Sequence, residues 1–214
     1  MPESNATEQS RSIEVVRSGY DHAAARYAAA RDLFENEPHL ERFIELLPPP
    51  ARVLDVGCGS GDPVDRYLVD RGYEVTGIDI APRQIELARA HVSEASFEVR
   101  NMLDLQIGDF NVDGLVSFYA VFHTPRDRHS EILRRFASFV RPDGALLITM
   151  GAHSWEGTES DWHGVEMYWS HFDADTNRQL VYEAGFDIES AEIDERGGEA
   201  HQVILGVRRS PDCC

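Results

Sequence analysis

Three glycines and one aspartate mark the part of this chain most suited to chemistry. A short apolar run leads into a turn with glycine at every second position, Gly57, Gly59 and Gly61, and a second apolar run, residues 74–78, ends at Asp79. Glycines let the backbone approach a ligand closely, and an acid at the tip of the next strand can bind both hydroxyls of a ribose. The pattern therefore predicts a nucleoside pocket at the carboxyl end of a parallel sheet.

The glycine spacing also restricts which nucleoside fits. Dinucleotide sites use G-x-G-x-x-G and place a pyrophosphate at the start of the following helix, whereas here the spacing is G-x-G-x-G and the next residue is Asp62. An aspartate at that helix end repels a diphosphate. A nucleotide-dependent oxidoreductase is therefore disfavoured, and a ligand without phosphate and with positive charge, S-adenosylmethionine (SAM), fits the pattern.

Several further segments extend this pattern over residues 50–150. The run from Val53 to Gly61, the acid Asp79, the pair Asn101-Met102, the strand 114–118 and the turn 141–144 together resemble the class I SAM-dependent methyltransferases. The resemblance implies an α/β, three-layer, Rossmann-like fold with a mostly parallel seven-stranded sheet and an antiparallel C-terminal hairpin. It also implies methyl transfer from SAM, with S-adenosylhomocysteine (SAH) as product.

The resemblance assigns cofactor-binding roles to a set of residues around the glycine turn and the next two strand ends. Asp55 is expected to hold the methionyl ammonium, with a turn-capping role as the alternative, and Asn101 stands where the family often has an aspartate that accepts from the adenine amino group. Asp104 is the alternative acceptor. The predicted cofactor residues are Asp55, Gly57, Cys58, Gly59, Gly61, Asp79, Ile80, Asn101, Met102 and Phe118.

Candidate catalytic and substrate-binding residues lie in three places. His123 follows the fourth strand and has a suitable resting pKa for proton transfer, although a positioning role is an alternative; His171 and Tyr20 are the other catalytic candidates. The segment 151–172 is rich in Gly, His and Trp and predicts an irregular substrate lid, with a packed Ω-loop as the alternative. The predicted substrate residues are Tyr27, Tyr119, Trp155, Trp162, Tyr168, Trp169 and His201.

The amino-acid composition limits the kinds of partner that the protein can bind. The 214 residues carry a formal net charge of −18, with 38 acidic residues against 20 basic ones, all of them arginine. Such a surface repels nucleic acid and anionic lipid, so the expected partner is a small molecule, and no Cys/His spacing suggests a metal site. Three cysteines do not make a disulfide framework. We expect a cytoplasmic monomer or homodimer.

The order of the elements predicts one domain. Apolar spacing predicts N-terminal cap helices within 13–50 and then alternating strands and helices, which is typical of a parallel sheet. The expected organisation is a disordered lead at 1–12, a single methyltransferase domain at 13–208 and a tail at 209–214. The leading functional hypothesis is methyl transfer to N, O or S of a small molecule. The rival is a SAM- or SAH-binding sensor or assembly partner without catalysis.

Overall fold

The computed structural model describes residues 2–30, 36–196 and 199–210; in the first helix the described side chains are those of residues 10–24 and 26. Helices and strands alternate through most of the chain. They are α1 (Pro2–Ala30), α2 (Glu37–Glu45), β1 (Arg52–Val56), α3 (Val64–Val69), β2 (Glu74–Asp79), α4 (Pro82–His91), β3 (Ser96–Val99), β4 (Val112–Ser117), α5 (His129–Phe139), β5 (Val140–Gly151), β6 (Trp155–Trp162), β7 (Val165–His171), α6 (Ala174–Ala184), β8 (Phe186–Asp194) and β9 (His201–Arg208).

Seven strands form one sheet in the order β3-β2-β1-β4-β5-β9-β8. The pairs from β3 to β5 are parallel, and β9 is antiparallel to both β5 and β8. This confirms the predicted mostly parallel sheet and its antiparallel C-terminal hairpin. The strand order reverses between β1 and β4, and ligands of open α/β sheets bind outside the carboxyl ends of the strands at such a switch point.

The alternation of side chains along β1 explains the three layers. Leu54 packs with α5 and α6 on one face of the sheet, and Val53 packs with α2 and α3 on the other. Because successive residues of a strand point to opposite faces, a strand with apolar residues on both faces must be covered on both sides. The short runs of apolar residues that predicted the strands are therefore the middle layer of the molecule.

The last helix begins after an aspartate and ends at a glycine, and both residue types are typical of those positions. The Asp173 carboxylate accepts hydrogen bonds from the backbone N–H groups of Asp175 and Thr176 and so is the N-cap of α6. Gly185 follows the helix with φ of +111°, a conformation that favours glycine. These two residues fix the direction in which the chain enters β8.

The segment 151–172 differs from its prediction. It is not an irregular loop, because β6 and β7 pair as an antiparallel hairpin that forms a second, two-stranded sheet. His163 and Gly164 connect the strands with φ of +49° and +79°, and two-residue hairpin turns with positive φ match the twist of the strands. The predicted irregular conformation was wrong because the turn lacks the usual Asn-Gly or Asp-Gly signal. The role of this segment as a substrate lid stays a prediction.

Helix α1 also differs from its prediction, because it begins at Pro2 and so includes the segment 2–12 that was expected to be disordered. Once a helix is nucleated, each further residue adds one hydrogen bond. The helix lies against the hairpin at Gly19, where a Cβ would come within 2.9 Å of Met167. Asp21 accepts a hydrogen bond from the backbone N–H of Arg83 at 2.9 Å, which joins α1 to the first turn of α4.

The remaining expectations concern the termini and membranes. Of the predicted tail, Arg209 and Ser210 follow β9, and residues 211–214, including Cys213 and Cys214, lie outside the described residues. In the described part of the chain, no helix is both long and apolar enough to cross a membrane.

We predict that Gly114→Ala destabilises the fold. A Cβ at this position of β4 would lie 2.3 Å from Leu47 Cδ1 and 2.7 Å from Phe43 Cζ, and overpacking of this kind costs about 1–3 kcal/mol. Urea denaturation measures the change in the free energy of unfolding. Combining it with Leu47→Ala makes room for the new methyl group, so the double variant should lose less than the sum of the single variants. Strict additivity would contradict the proposed clash.

Candidate functional site

The glycine turn after β1 adopts the conformation that its sequence predicts. Gly57, Gly59 and Gly61 have φ of +82°, +56° and +75°, and the N–H groups of Gly57 and Cys58 donate to the Ile78 carbonyl at 2.7 and 3.1 Å. A Cβ at Gly57 would lie only 2.3 Å from the Ala120 Cβ. The turn is therefore held against the end of β2 and the segment after β4, and only glycine fits at its first position.

Asp79 ends β2 beside this turn. One carboxylate oxygen accepts from the N–H of Gly59 at 3.0 Å and the other from the N–H of Ala81 at 2.8 Å. An ionised carboxylate has about four acceptor sites, so it can accept further hydrogen bonds from a ligand. The two backbone bonds fix its orientation, which is what bidentate recognition of a ribose diol requires.

A cleft opens at the switch point, where the turn, the strand ends and α1 meet. Asp79, Ile80, Asn101, Met102 and Phe118 line it as predicted, with two of the predicted glycines. The full lining is Ile13, Val16, Tyr20, Val56, Gly57, Gly59, Ile78, Asp79, Ile80, Arg100, Asn101, Met102, Leu103, Phe118, Tyr119, Ala120, His123 and Thr124.

Three predicted cofactor residues do not line this cleft. Cys58 is buried, and burial raises the pKa of its thiol well above the usual value. Gly61 faces the packing between α4 and β3, where a Cβ would meet Ala88 at 3.3 Å. Asp55 is 2% exposed within β1. Cys58 and Gly61 therefore contribute to the packing of the turn and do not line the cleft. The cofactor role of Asp55 stays a prediction.

The Asn101 side chain has a structural partner. Its Oδ1 accepts from the N–H of Leu103 at 3.0 Å and so caps a short 3₁₀ helix, Met102–Asp104. An amide oxygen has a second lone pair, which leaves acceptor capacity for an adenine amino group. Asp104, the alternative acceptor, is not among the residues that line the cleft.

Tyr119, which follows β4, is held by hydrogen bonds at its backbone N–H and at its side-chain hydroxyl. Its φ is +55°, an uncommon conformation for a non-glycine residue that costs on the order of 1–3 kcal/mol. Its N–H donates to Thr149 Oγ1, and its hydroxyl donates to Asn36 Oδ1 at 3.0 Å. No sequence pattern pointed to Asn36 or Thr149, because both act through contacts between residues distant in the chain.

Tyr20 and His123 form a hydrogen-bonded pair beside the cleft. The Tyr20 hydroxyl lies 2.8 Å from His123 Nε2, and His123 Nδ1 lies 2.8 Å from the Tyr168 carbonyl. A carbonyl only accepts, so Nδ1 carries the proton and Nε2 accepts from Tyr20. Burial lowers the pKa of His123 to about 4. The imidazole is therefore neutral at neutral pH.

Aromatic side chains of the hairpin surround this pair. The Trp162 ring centre lies 5.2 Å from that of Tyr20, and the Trp169 ring centre lies 4.3 Å from that of His123. Tyr168 contributes its carbonyl to His123, while its hydroxyl donates to Glu156 at 2.9 Å. Of the predicted substrate residues, Trp162 and Trp169 thus lie against the catalytic candidates, and the Tyr27 side chain lies outside the described residues.

A second recess contains the other two histidines among the candidate residues, His171 and His201. Neither is among the residues that line the first cleft. The His171 ring packs on Gly151, where a Cβ would lie 2.0 Å from Nδ1. The predicted catalytic role of His171 therefore has no support from contact with the first cleft. Among the described residues, no group of three or more His, Cys, Asp or Glu side chains could hold a metal ion.

Comparisons with known proteins agree with this geometry. A family model described as a methyltransferase domain matches residues 53–144. A 24-methylenesterol C-methyltransferase of Oryza sativa subsp. japonica is 38% identical over 106 residues, 45% of this chain and 29% of the relative. A ubiquinone biosynthesis O-methyltransferase of Xanthomonas campestris pv. campestris is 36% identical over 108 residues, 47% of this chain and 43% of the relative. The chain thus spans less than half the length of these curated relatives.

Among solved structures, a 1,6-didemethyltoxoflavin-N1-methyltransferase of Burkholderia thailandensis, crystallised with its acceptor and SAH, superposes with a TM-score of 0.75 at 21% identity. The match covers 94% of this chain and 91% of the other. The fold is that of the class I, Rossmann-like methyltransferases. Residues 53–144 thus match a methyltransferase domain, and SAM is the cofactor that this resemblance implies.

The described residues fit this cofactor. An orientated acid at the end of β2 suits a ribose diol, and the apolar side chains of Ile80 and Met102 suit an adenine ring. Asp79, Asn101 and the backbone at Gly57 and Gly59 would hold the cofactor.

We predict that Asp79→Asn lowers the affinity for SAH by about 10- to 100-fold, because charge-assisted hydrogen bonds contribute about 1.5–3 kcal/mol. In the variant, the amide NH₂ group would also face one of the two backbone N–H groups that now donate to the carboxylate. Two donors cannot pair, so one backbone hydrogen bond would be lost. Isothermal titration calorimetry measures the affinity. Asp70→Asn removes the same charge from an exposed site after α3 and should leave it unchanged. Unchanged affinity in Asp79→Asn would refute the assignment of the ribose ligand.

Proposed function

We propose that this protein transfers a methyl group from SAM to a nucleophilic N, O or S atom of a small molecule. The observation that carries the proposal is the Tyr20–His123 pair, a half-buried and hydrogen-bonded polar unit that lines the cofactor cleft. A protein that only binds SAM or SAH has no need of such a pair. The non-catalytic sensor is the alternative function, and the tests below separate the two.

The chain itself has to supply little covalent chemistry. When bound, SAM supplies an electrophilic methyl group, which leaves with its bond to sulfur broken and the electron pair kept by sulfur. The contribution of the protein is to hold the acceptor atom in line with that group, which is worth several kcal/mol. Tyr20 is suited to this task, because its hydroxyl is orientated by His123 and its ring packs against Trp162.

The protonation state of His123 favours particular acceptors. A base with a pKa of about 4 accepts a proton only weakly, so the pair is poorly suited to deprotonating an alcohol. It is well suited to orientating an acceptor through the Tyr20 hydroxyl. We therefore favour an acceptor atom that is already unprotonated, such as a neutral amine, a ring nitrogen or a thiolate.

The net charge of the protein and the names of similar proteins both support a small molecule as the methyl acceptor. A net charge of −18 disfavours nucleic acid and anionic lipid. The names of the similar proteins refer to sterol, ubiquinone-pathway and toxoflavin methylation, and these are small organic molecules. The aromatic side chains of the hairpin suit contacts with a ligand of this kind.

The activity is tested by transfer of labelled methyl groups from SAM into a size-fractionated cell extract. We expect label in the small-molecule fraction, where the product can be identified by mass. Label in protein or RNA would contradict the acceptor class while keeping the activity. If no fraction is labelled and SAH still binds, the sensor becomes the supported function.

We predict that Tyr20→Phe lowers kcat about 10- to 100-fold with SAH affinity nearly unchanged, because only the orientated hydroxyl is lost. His123→Ala should lower kcat further, again with little change in SAH binding. Steady-state kinetics and calorimetry measure the two effects. Tyr182→Phe makes the same change on the exposed side of α6 and should have no effect.

The pH dependence separates orientation from proton abstraction. Because the pKa of His123 is lowered to about 4, its neutral form persists above that value and is lost only as the pH falls towards 4. We therefore expect no ionisation of His123 in the kcat profile between about pH 6 and pH 8. An ionisation near the ordinary histidine pKa that disappears in His123→Ala would show that His123 acts as a base.

A further inference from the structure

The hydroxyl group of Tyr20 presents a lone pair to the cofactor cleft, because its proton is donated to His123. The Tyr168 carbonyl lies 2.8 Å from His123 Nδ1, and a carbonyl only accepts, so Nδ1 carries the proton of the neutral imidazole. Nε2 therefore accepts from the Tyr20 hydroxyl at 2.8 Å. A hydroxyl has one proton and two lone pairs. Towards a ligand in the cleft that it lines, Tyr20 thus acts as a hydrogen-bond acceptor.

The neighbouring polar groups after β4 have the same polarity. Thr124, which also lines the cleft, donates its hydroxyl proton to the Val121 carbonyl at 2.7 Å. The backbone N–H groups of His123 and Thr124 donate to the Ala120 and Val121 carbonyls, both at 3.0 Å. Each of these protons is used within the protein. The hydroxyl groups of Tyr20 and Thr124 therefore suit a ligand that itself supplies the proton of the hydrogen bond.

The charged side chains of the cleft belong to the ends of β2 and β3. Among the described residues that line it, only Asp79 and Arg100 are charged, and they end β2 and follow β3. His123 is neutral because burial lowers its pKa to about 4. A charged group beside Tyr20 would find no ionic partner on α1 or after β4, and burying an unpaired charge is costly. We therefore expect an acceptor group that is uncharged when it binds.

We propose that Tyr20 selects a methyl acceptor that donates an N–H hydrogen bond to its hydroxyl oxygen, and that the substrate is a neutral amine of low basicity, such as an arylamine. A thiolate, or a ring nitrogen without hydrogen, would instead bring a lone pair against a lone pair. An alcohol can bind through its O–H, but no base is present to take its proton. The inference rests on the proposed methyl transfer and narrows its acceptor atom to nitrogen.

The transfer to such an amine balances without a base. The lone pair of the nitrogen forms the new bond to the methyl carbon as the carbon–sulfur bond breaks, and sulfur keeps the electron pair of that bond. The nitrogen acquires the positive charge and keeps its N–H, which remains hydrogen-bonded to Tyr20. A hydrogen bond from a charged donor is stronger than one from a neutral donor, so this contact strengthens as the reaction proceeds. The product loses its extra proton to solvent after release.

The test measures binding, so that it does not depend on turnover. Aniline, toluene and benzonitrile are similar in shape, but aniline donates N–H hydrogen bonds, benzonitrile only accepts, and toluene does neither. Each is titrated at neutral pH into the full chain saturated with SAH, and binding is followed by ligand-observed NMR. In Tyr20→Phe, we expect the affinity of aniline relative to toluene to fall about three- to tenfold. The affinity of benzonitrile relative to toluene should not fall.

Tyr182→Phe is the matched control, because Tyr182 is exposed on α6, and it should change neither ratio. An unchanged aniline ratio in Tyr20→Phe would overturn the proposal, as would no binding of aniline to the unaltered chain at millimolar concentration. A fall in the benzonitrile ratio would also overturn it, since the hydroxyl would then be donating to ligands.

A second variant tests the direction of the hydrogen bond. His123→Ala removes the group that accepts the Tyr20 proton, so the hydroxyl becomes able to donate to a ligand. The affinity of benzonitrile relative to aniline should therefore rise in this variant. No rise would show that His123 does not determine the polarity of Tyr20 and would overturn the proposal.

Failure of this inference can be distinguished from failure of the proposed function. If the labelled product of the cell extract carries its new methyl group on oxygen, on sulfur or on a nitrogen that had no hydrogen, the acceptor class is refuted and methyl transfer stands. Bound SAH without label in any fraction refutes the function itself. A large loss of SAH affinity in Tyr20→Phe would show that the hydroxyl binds the cofactor, and would overturn its assignment to the acceptor.

Discussion

Two hydrogen bonds made by His123 join three parts of the chain that are distant in sequence. One runs to Tyr20 in α1 and the other to the Tyr168 carbonyl in β7, while His123 itself follows β4. Because the imidazole is buried and neutral, both bonds form without the large cost of burying a charge. The position of α1 over the cleft, and of the hairpin beside it, depends on this junction.

Other hydrogen bonds also hold α1 and the residues that follow β4 in place beside the cleft. Asp21 ties α1 to the first turn of α4, and the strained backbone of Tyr119 is held by Thr149 and Asn36. Strain of this kind persists only where surrounding contacts over-determine it. The cleft is therefore bounded by elements held from outside the cofactor site, which suits a site that must position a ligand before it reacts.

Sequence patterns correctly predicted the strands and helix ends that depend on residues close together in the chain. The apolar runs before Gly57 and before Asp79 became β1 and β2, and the Asp173 cap and Gly185 stop of α6 were visible in single residues. The hairpin was missed because His163-Gly164 is not a usual turn pair, so its tryptophans were read as a loop. Tyr20 and His123 were both candidates, but their contact spans 103 positions and no local pattern encodes it. Asn36 was missed for the same reason.

The neutral state of His123 bears on the direction of the chemistry. Transfer of a methyl group to a neutral nitrogen moves one unit of positive charge from the sulfonium to the acceptor. A neutral imidazole beside the cleft adds no opposing positive charge. A histidine with its ordinary pKa would be partly protonated near neutral pH, and its charge would oppose both the bound sulfonium and the charge that develops on the acceptor. The burial of His123 therefore favours acceptors that the Tyr20 hydroxyl can orientate without a base.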